Sequence, residues 1–303
     1  MAGLEKRLDV TNRDGVERAP LGEQPLVSIV TPSYNQGRFI EETILSIKNQ
    51  TYPNIEHIIC DGGSTDETLD VIRKHEGTYN LRWVSEPDKG QADAINKGFD
   101  MAQGEIVTWI NSDDIYVTRD AVRKNVDAFR SYPAADVVTG NGIFIDHQGR
   151  WLYPAPKWSK NRVTHKHLRR SNTLIQPSTF FRRHLLRDCR CDTKFYYAFD
   201  WDLFACMARR GNILPIDEFI AGFRVHPASK TSAVSTRRVA EKREITGRHI
   251  GRCSAQYLIL TFYYLLFRAS DLLPRPLRSA TQKAIGKVSV AVNFLTLGRI
   301  ASV

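Results

Sequence analysis

Four clusters in this chain combine carboxylates, amides, hydroxyls and turn residues in the manner of ligand-binding loops. They are Thr31 to Asn35, Asp61 to Asp66, Glu86 to Gly90 and Asn111 to Asp114. Asp113 and Asp114 follow the apolar run Ile106-Val-Thr-Trp-Ile110. Carboxylates fixed at a strand end suit a hard divalent cation bridging two phosphates, where it stabilises charge on a departing diphosphate. The competing reading is helix capping by Asp114 or Ser112. Asp61 precedes two glycines, which let the backbone approach a ligand, so its carboxylate could accept hydrogen bonds from a base or ribose. A turn-forming Asp is the plainer alternative. Asp200, before Trp201 and Asp202 at the start of a helical pattern, has the type and place of a general base on an acceptor hydroxyl, or of an N-cap. His226, in Phe223-Arg-Val-His-Pro227, reads as a metal ligand, a diphosphate contact or a structural ring.

These clusters must be held by regular elements, and the spacing supplies them. Leu26 to Thr31 reads as a buried strand, and Phe39, Ile40, Ile44 and Ile47 then recur at helical spacing. A second strand spans Ile55 to Cys60. Ser64 and Glu67 have capping-box spacing for the next helix. A third strand, Leu81 to Ser85, leads to a helix burying Ala94, Ile95 and Phe99, with Asp88 and Gln91 again at capping-box spacing. A fourth strand runs from Glu105 to Ile110. Strand and helix thus alternate four times, the signature of a doubly wound, mainly parallel sheet. Ligands bind outside the carboxyl ends of such strands, where all four polar clusters fall. Further on, Val137 to Ile145 reads as a hairpin around Gly140-Asn-Gly142. Asp200 to Arg210 reads as a helix, Ile213 to Val225 as strands broken at Pro215, and the chain from Ser229 as helical and basic.

The composition excludes several classes. With 42% hydrophobic and 25% charged residues in 303, the chain is an ordinary globular protein with ample core. Its net charge of +10 favours an anionic partner: a nucleotide diphosphate, a nucleic acid or an acidic membrane. The aromatics of the basic C-terminal part lie in one apolar run rather than interleaved with Lys and Arg, which argues against nucleic acid. That run, Ala255 to Phe267, gives only about 20 Å of helix against roughly 30 Å of bilayer hydrocarbon. It therefore reads as a core helix or as a segment lying in a membrane interface, flanked by Arg252, Arg268, Arg275 and Arg278. Five scattered cysteines without CxxC spacing, and an N-terminus lacking an apolar signal core, point to a reduced, cytoplasmic setting, peripheral to the inner membrane face if that segment docks. No GxxxxGK[ST], GxGxxG or GxSxG motif sits where a phosphate loop, dinucleotide site or nucleophile elbow would need it.

Together these motifs resemble glycosyltransferase family 2, over roughly Leu26 to Lys230. Val27 to Asn35 is similar to the family's first strand, which implies nucleotide contacts from Thr31, Pro32, Tyr34 and Asn35. Asp61-Gly-Gly-Ser-Thr-Asp-Glu-Thr68 resembles its second nucleotide motif, implying that Asp61 and Gly62 meet the nucleoside. Asp88, Lys89, Gly90 and Asp93 match the segment lining the donor sugar and diphosphate. Asn111-Ser112-Asp113 occupies the place of the DxD metal motif, with Asn for the first Asp. Phe199-Asp-Trp-Asp202 resembles the ED motif with Phe for Glu, implying Asp200 as base and Asp202 as second candidate. Phe223 to Lys230 looks like the late RxHxxS segment, implying His226 at the metal and Arg224 and Ser229 at phosphate.

The resemblance implies a GT-A fold: an α/β, doubly wound, mainly parallel sheet flanked by helices, with a C-terminal helical extension. The expected divisions are an extension to residue 25, a nucleotide-sugar half over 26–115, an acceptor half over 116–228 and a basic helical region over 229–303. The implied activity is inverting transfer of one sugar from a nucleoside-diphosphate sugar (UDP- or dTDP- ahead of GDP-) to a saccharide acceptor, lipid-linked by preference, with Mn2+ or Mg2+ as cofactor. The QxxRW segment of processive members is absent, which favours single additions. The alternative is a degenerate, non-catalytic nucleotide-sugar binder.

Overall fold

The computed structural model describes residues 21–155, 163–226, 235–274, 276–278, 280–282 and 284–285. Ser229, Arg275, the first 20 residues and 286–303 lie outside them.

The expected alternation is present. β1 (Val27–Ser33), α1 (Gly37–Lys48), β2 (Ile55–Asp61), α2 (Thr68–His75), β3 (Leu81–Ser85), α3 (Gln91–Met101) and β4 (Ile106–Trp109) follow in order. β3, β2, β1 and β4 lie side by side and parallel. Strands buried on both faces read as continuous apolar runs, which is why β1 and β4 carry almost no exposed position. Val107 and Trp109 of β4 join one core with Ile95 and Phe99, while Ile106 and Ile110 join a second on the opposite face.

Beyond β4 come β5 (Ile115–Tyr116), α4 (Ala121–Ser131), β6 (Val137–Ile145), β7 (Trp151–Pro154), α5 (His165–Leu168), β8 (Thr179–Arg182), α6 (Phe199–Arg210) and β9 (Ile213–Arg224). These strands extend the same sheet: β8 pairs antiparallel with β4 and β6, and β9 runs parallel to β6. The sheet is parallel in its first half and mixed in its second. α6 is fixed by Phe204, which stacks on Trp109 at 5.3 Å, so its first turn stays in a set place relative to the end of β4. α7 (Thr236–His249) and α8 (Ala255–Ser270) form a hairpin beyond the sheet, with α7 against α6.

Four local expectations are corrected. Ser64 caps no helix: its hydroxyl donates to Asp61 Oδ1 at 2.5 Å and accepts from Asn35 N–H, and α2 begins only at Thr68. Asp88 likewise accepts from Gly90 N–H in the preceding turn, and α3 begins at Gln91 without a side-chain cap. Gly140-Asn-Gly142 is no hairpin turn but a bulged stretch within β6, where the register against β9 shifts. A Cβ on Gly140 would stand 2.4 Å from Ile220, and one on Gly142 2.7 Å from Ile175, so both glycines serve close strand packing. The cysteines are not all unpaired thiols: Cys189 and Cys206 form a disulfide tying α6 to the segment after β8, a pairing their 17-residue separation does not announce.

Candidate active site

The carboxyl ends of β1, β2, β3 and β4 carry the four polar clusters, as their spacing requires. At the end of β2, Asp61 is buried, and four donors converge on its carboxylate. They are Gly63 N–H, Ser64 N–H, the Ser64 hydroxyl and the Ser85 hydroxyl. A carboxylate offers about four acceptor positions, so its own loop saturates it. Asp61 therefore ties the ends of β2 and β3 together, and a base could use it only by displacing one of those donors. Gly62 lets the Asp88 side chain approach closely, since a Cβ there would stand 2.6 Å from Asp88 Oδ2 and push that carboxylate aside. Asp88 and Asp93 shape the next loop by accepting from Gly90 and Lys89 N–H. Lys97 pins it from outside through Glu86 at 2.8 Å.

At the end of β1, Thr31 faces inward, its hydroxyl 2.9 Å from His57 Nε2. Burial drives that imidazole down to about 3, so it is a neutral strut at any physiological pH. Pro32 is buried, whereas Tyr34 stands 60% exposed at the rim, and Asn35, at φ 50°, accepts from Thr65 N–H. Tyr34 is thus the member of this cluster with a free ring to offer a base. Ser33 was not singled out in the sequence, yet its buried hydroxyl has no partner among the described residues.

The loop after β4 separates its residues by role. Asp113 keeps a partly exposed carboxylate, with Oδ2 3.1 Å from His226 Nε2. Two ligands at right angles about 2.1 Å from an octahedral cation stand about 3 Å apart, so this pair fits Mg2+ or Mn2+. Among the described residues no three His, Cys, Asp or Glu side chains gather into a group that could hold a metal ion by themselves. Ser112 is buried beside Asp113. Asp114 is buried and structural: it accepts from Arg224 N–H and Asn111 Nδ2, and burial, then the neighbouring Asp113 charge, push its carboxyl well up.

Arg224 was expected at phosphate. Its guanidinium instead faces inward, donating to the Asp113 carbonyl at 2.7 Å, the Asp146 carbonyl at 3.1 Å and Glu42 at 2.7 Å, and lying over the Phe39 ring. It positions the Asp113 loop from behind. His226 packs on the same ring, at 4.9 Å.

The two acidic residues of α6 also part company. Asp202 is buried and fully engaged, accepting from Arg248 at 2.7 Å and paired with His249 Nε2 at 2.8 Å, so it fastens α7 to α6 and is unsuited to proton transfer. Glu241 completes the fastening by accepting from the N–H groups of Tyr196, Tyr197 and Ala198 at the start of α6. Asp200 accepts from Asn172 Nδ2 at 2.8 Å and from Trp201 N–H, and burial raises its carboxyl to about 6. That is a suitable strength for a base near neutral pH.

Asn172 and Gln176 escaped sequence reasoning because they stand in irregular chain without a motif. Gln176 donates to the Trp109 carbonyl and accepts from Asn111 Nδ2, while Asn172 holds Asp200. Their backbones are at most about 14 Å apart. One short segment therefore links the candidate base to the loop bearing Asp113.

Residues 28–190, more than half of the chain, match the family described as Glycosyl transferase family 2. The chain belongs to glycosyltransferase family 2. It is 33% identical over 156 residues to the chondroitin synthase of Escherichia coli, covering 50% of this chain but only 23% of that protein. Its fold is that of S. aureus TarS 1–349, solved with UDP-GlcNAc (TM-score 0.58, 18% identity, 91% of this chain and 88% of that one). It is also that of the Pyrobaculum calidifontis mannosyltransferase PcManGT, solved with GDP-Man and Mn2+ (TM-score 0.59, 20% identity, 99% and 82%). These glycosyltransferases share the GT-A architecture.

Within this family 2 chain, Asn111 has a physical reason to stand where the metal motif has Asp. Its amide donates to Asp114 Oδ2 at 3.0 Å and to Gln176 Oε1, and its oxygen accepts from Gln91 Nε2 at 2.7 Å. A carboxylate could make only the last of these contacts and would face a second, buried carboxylate. Asn111→Asp is expected to lower stability by about 2–4 kcal/mol at neutral pH, with the loss shrinking in acid as the two carboxylates share a proton. Denaturant midpoints measured across pH check this.

Proposed function

We propose that this family 2 glycosyltransferase moves one sugar from a nucleoside-diphosphate sugar to an acceptor hydroxyl, inverting the anomeric carbon, in the synthesis of surface polysaccharide or glycoconjugate. The observation that carries the reading is Asp200, a carboxylate raised to about 6 at the start of α6 and held by the same segment that buttresses the Asp113 loop. Asp200 takes the proton from the acceptor hydroxyl as that oxygen attacks the anomeric carbon. The bond from that carbon to the diphosphate oxygen breaks on the opposite face, and the nucleoside diphosphate departs. Asp113 and His226 would hold a divalent cation, Mn2+ or Mg2+, whose charge offsets that developing on the diphosphate. Tyr34, Asn35, the Gly62–Ser64 turn and the Asp88–Gly90 loop frame the donor. Donors carrying UDP or dTDP are placed ahead of GDP on the resemblance of the Asp61 motif, while the fold neighbours were solved with UDP-GlcNAc and with GDP-Man alike. The acceptor is a saccharide carried on a lipid and met at an anionic membrane surface.

The test is release of nucleoside diphosphate from UDP-, dTDP- and GDP-sugars with Mn2+. Slow, donor-selective release without acceptor, accelerated by lipid-linked saccharide, is the expected result. Tight binding of a donor with no release under any condition would instead make the chain a nucleotide-sugar binder.

A further inference from the structure

α8 buries one stripe and leaves another bare. Leu260, Tyr263 and Phe267 pack inward, and Arg243 of α7 lies over the rings of Tyr257 and Tyr264 at 5.5 and 4.8 Å. On the outer side Leu258, Phe262 and Leu265 are 58–60% exposed, Leu266 is exposed beside them, and Leu272, just past the helix, is 88% exposed. Positions 258, 262, 265 and 269 share one helical face, and all are apolar. From Leu258 to Ser270 that face is roughly 18 Å long. A helix lying in the plane of a bilayer interface has this form, whereas no helix among the described residues is long and apolar enough to cross a membrane.

Charge selects the occupant. Between residues 251 and 285 the chain carries Arg252, Arg268, Arg275, Arg278 and Lys283 against the single acid Asp271. That acid is turned inward to Thr236 and Gln282. Arg252 and Arg268 are exposed at the two ends of α8. An apolar stripe bracketed by cations matches acyl chains beneath anionic headgroups. The position is also apt. Gln256 of α8 donates to the Arg170 carbonyl at 2.7 Å, two residues before Asn172, which holds Asp200.

We infer that the outer face of α8 is a docking surface for an anionic bilayer, seating the Asp200 side of the cleft at the membrane where a lipid-linked acceptor is presented. The docking rests on the exposed face itself, and its purpose rests on the proposed lipid-linked acceptor. The test is flotation of the full chain with vesicles of phosphatidylcholine alone or of equal parts phosphatidylcholine and phosphatidylglycerol. The wild type is expected to float with the anionic vesicles, to be released by salt, and to bind the neutral ones weakly. Phe262→Glu/Leu265→Glu should lower the partition coefficient at least about thirtyfold, since burying one such side chain is worth about an order of magnitude. Arg268→Glu should weaken binding less and reduce its salt dependence. A cooperative thermal melt with the wild-type circular dichroism, measured on every variant without ligand, reports that each is folded, and donor-induced stabilisation is read separately. Failure of the wild type to float, or equal flotation of the double variant, overturns the inference. So does a dimer in sedimentation that only the double variant dissolves, with no vesicle binding. Flotation with no response to any donor would keep the docking surface and remove the transferase reading.

Discussion

Asp200→Asn is expected to retain donor binding and to lose transfer by about 10²- to 10⁴-fold in kcat, the usual contribution of a general base. The two donors fall on different oxygens of Asp200, so the single amide oxygen keeps only one of them, and Asp200→Asn should lose a little stability alongside nearly all transfer. Asp202→Asn supplies the contrast. It weakens the contacts to Arg248 and His249 and should reduce stability more than chemistry. The pH profile follows from the same carboxyl. Asp200 acts unprotonated, so kcat/KM should fall about tenfold per unit below pH 6. Stability runs the other way. Folding raises this carboxyl from about 3.9 in the open chain. Its contribution is therefore greatest below that value and is lost as pH rises through about 6. In Asp200→Asn both dependences should disappear together.

Arg224→Met is expected to cost about 3–5 kcal/mol and to lower the melting temperature by on the order of 10 °C, with or without donor. Its side chain is fully buried, and removing it leaves the Asp113 and Asp146 carbonyls and Glu42 without their shared donor. Arg224→Lys should recover little, because one ammonium cannot serve three acceptors fixed by a planar fork. Were Arg224 a phosphate contact, both variants would melt like the wild type and lose only donor affinity. Thermal melts of the two proteins without ligand decide between these.

The parallel half of the sheet was legible because strands buried on both faces leave continuous apolar runs, and the polar ends of those runs mark the cleft. Local turn chemistry was less so. Ser64 and Asp88 had the spacing of caps, but each found a better partner in the neighbouring loop. Gly140-Asn-Gly142 looked like a turn because glycine serves a tight bend and close strand packing equally well. The sequence ranked Asp200 ahead of Asp202 only through the resembled motif, since what separates them physically is contact with Asn172 in one case and with α7 in the other. The same holds for Arg224, whose partners lie up to 182 residues away. Asn172 and Gln176 had no periodic pattern to mark them and become visible only through what they touch.

The most direct measurement is thermal stabilisation by UDP-, dTDP- and GDP-sugars, with and without Mn2+, for the wild type and Asp113→Ala. A donor at 100 times its dissociation constant adds about 2.7 kcal/mol, a readily measured shift. One nucleotide class is expected to stabilise the wild type strongly with Mn2+ and weakly without it, and Asp113→Ala should lose the metal-dependent part. Stabilisation that ignores both Mn2+ and the Asp113 substitution would contradict the metal-assisted site. No response of the wild type to any nucleotide sugar would contradict the account as a whole.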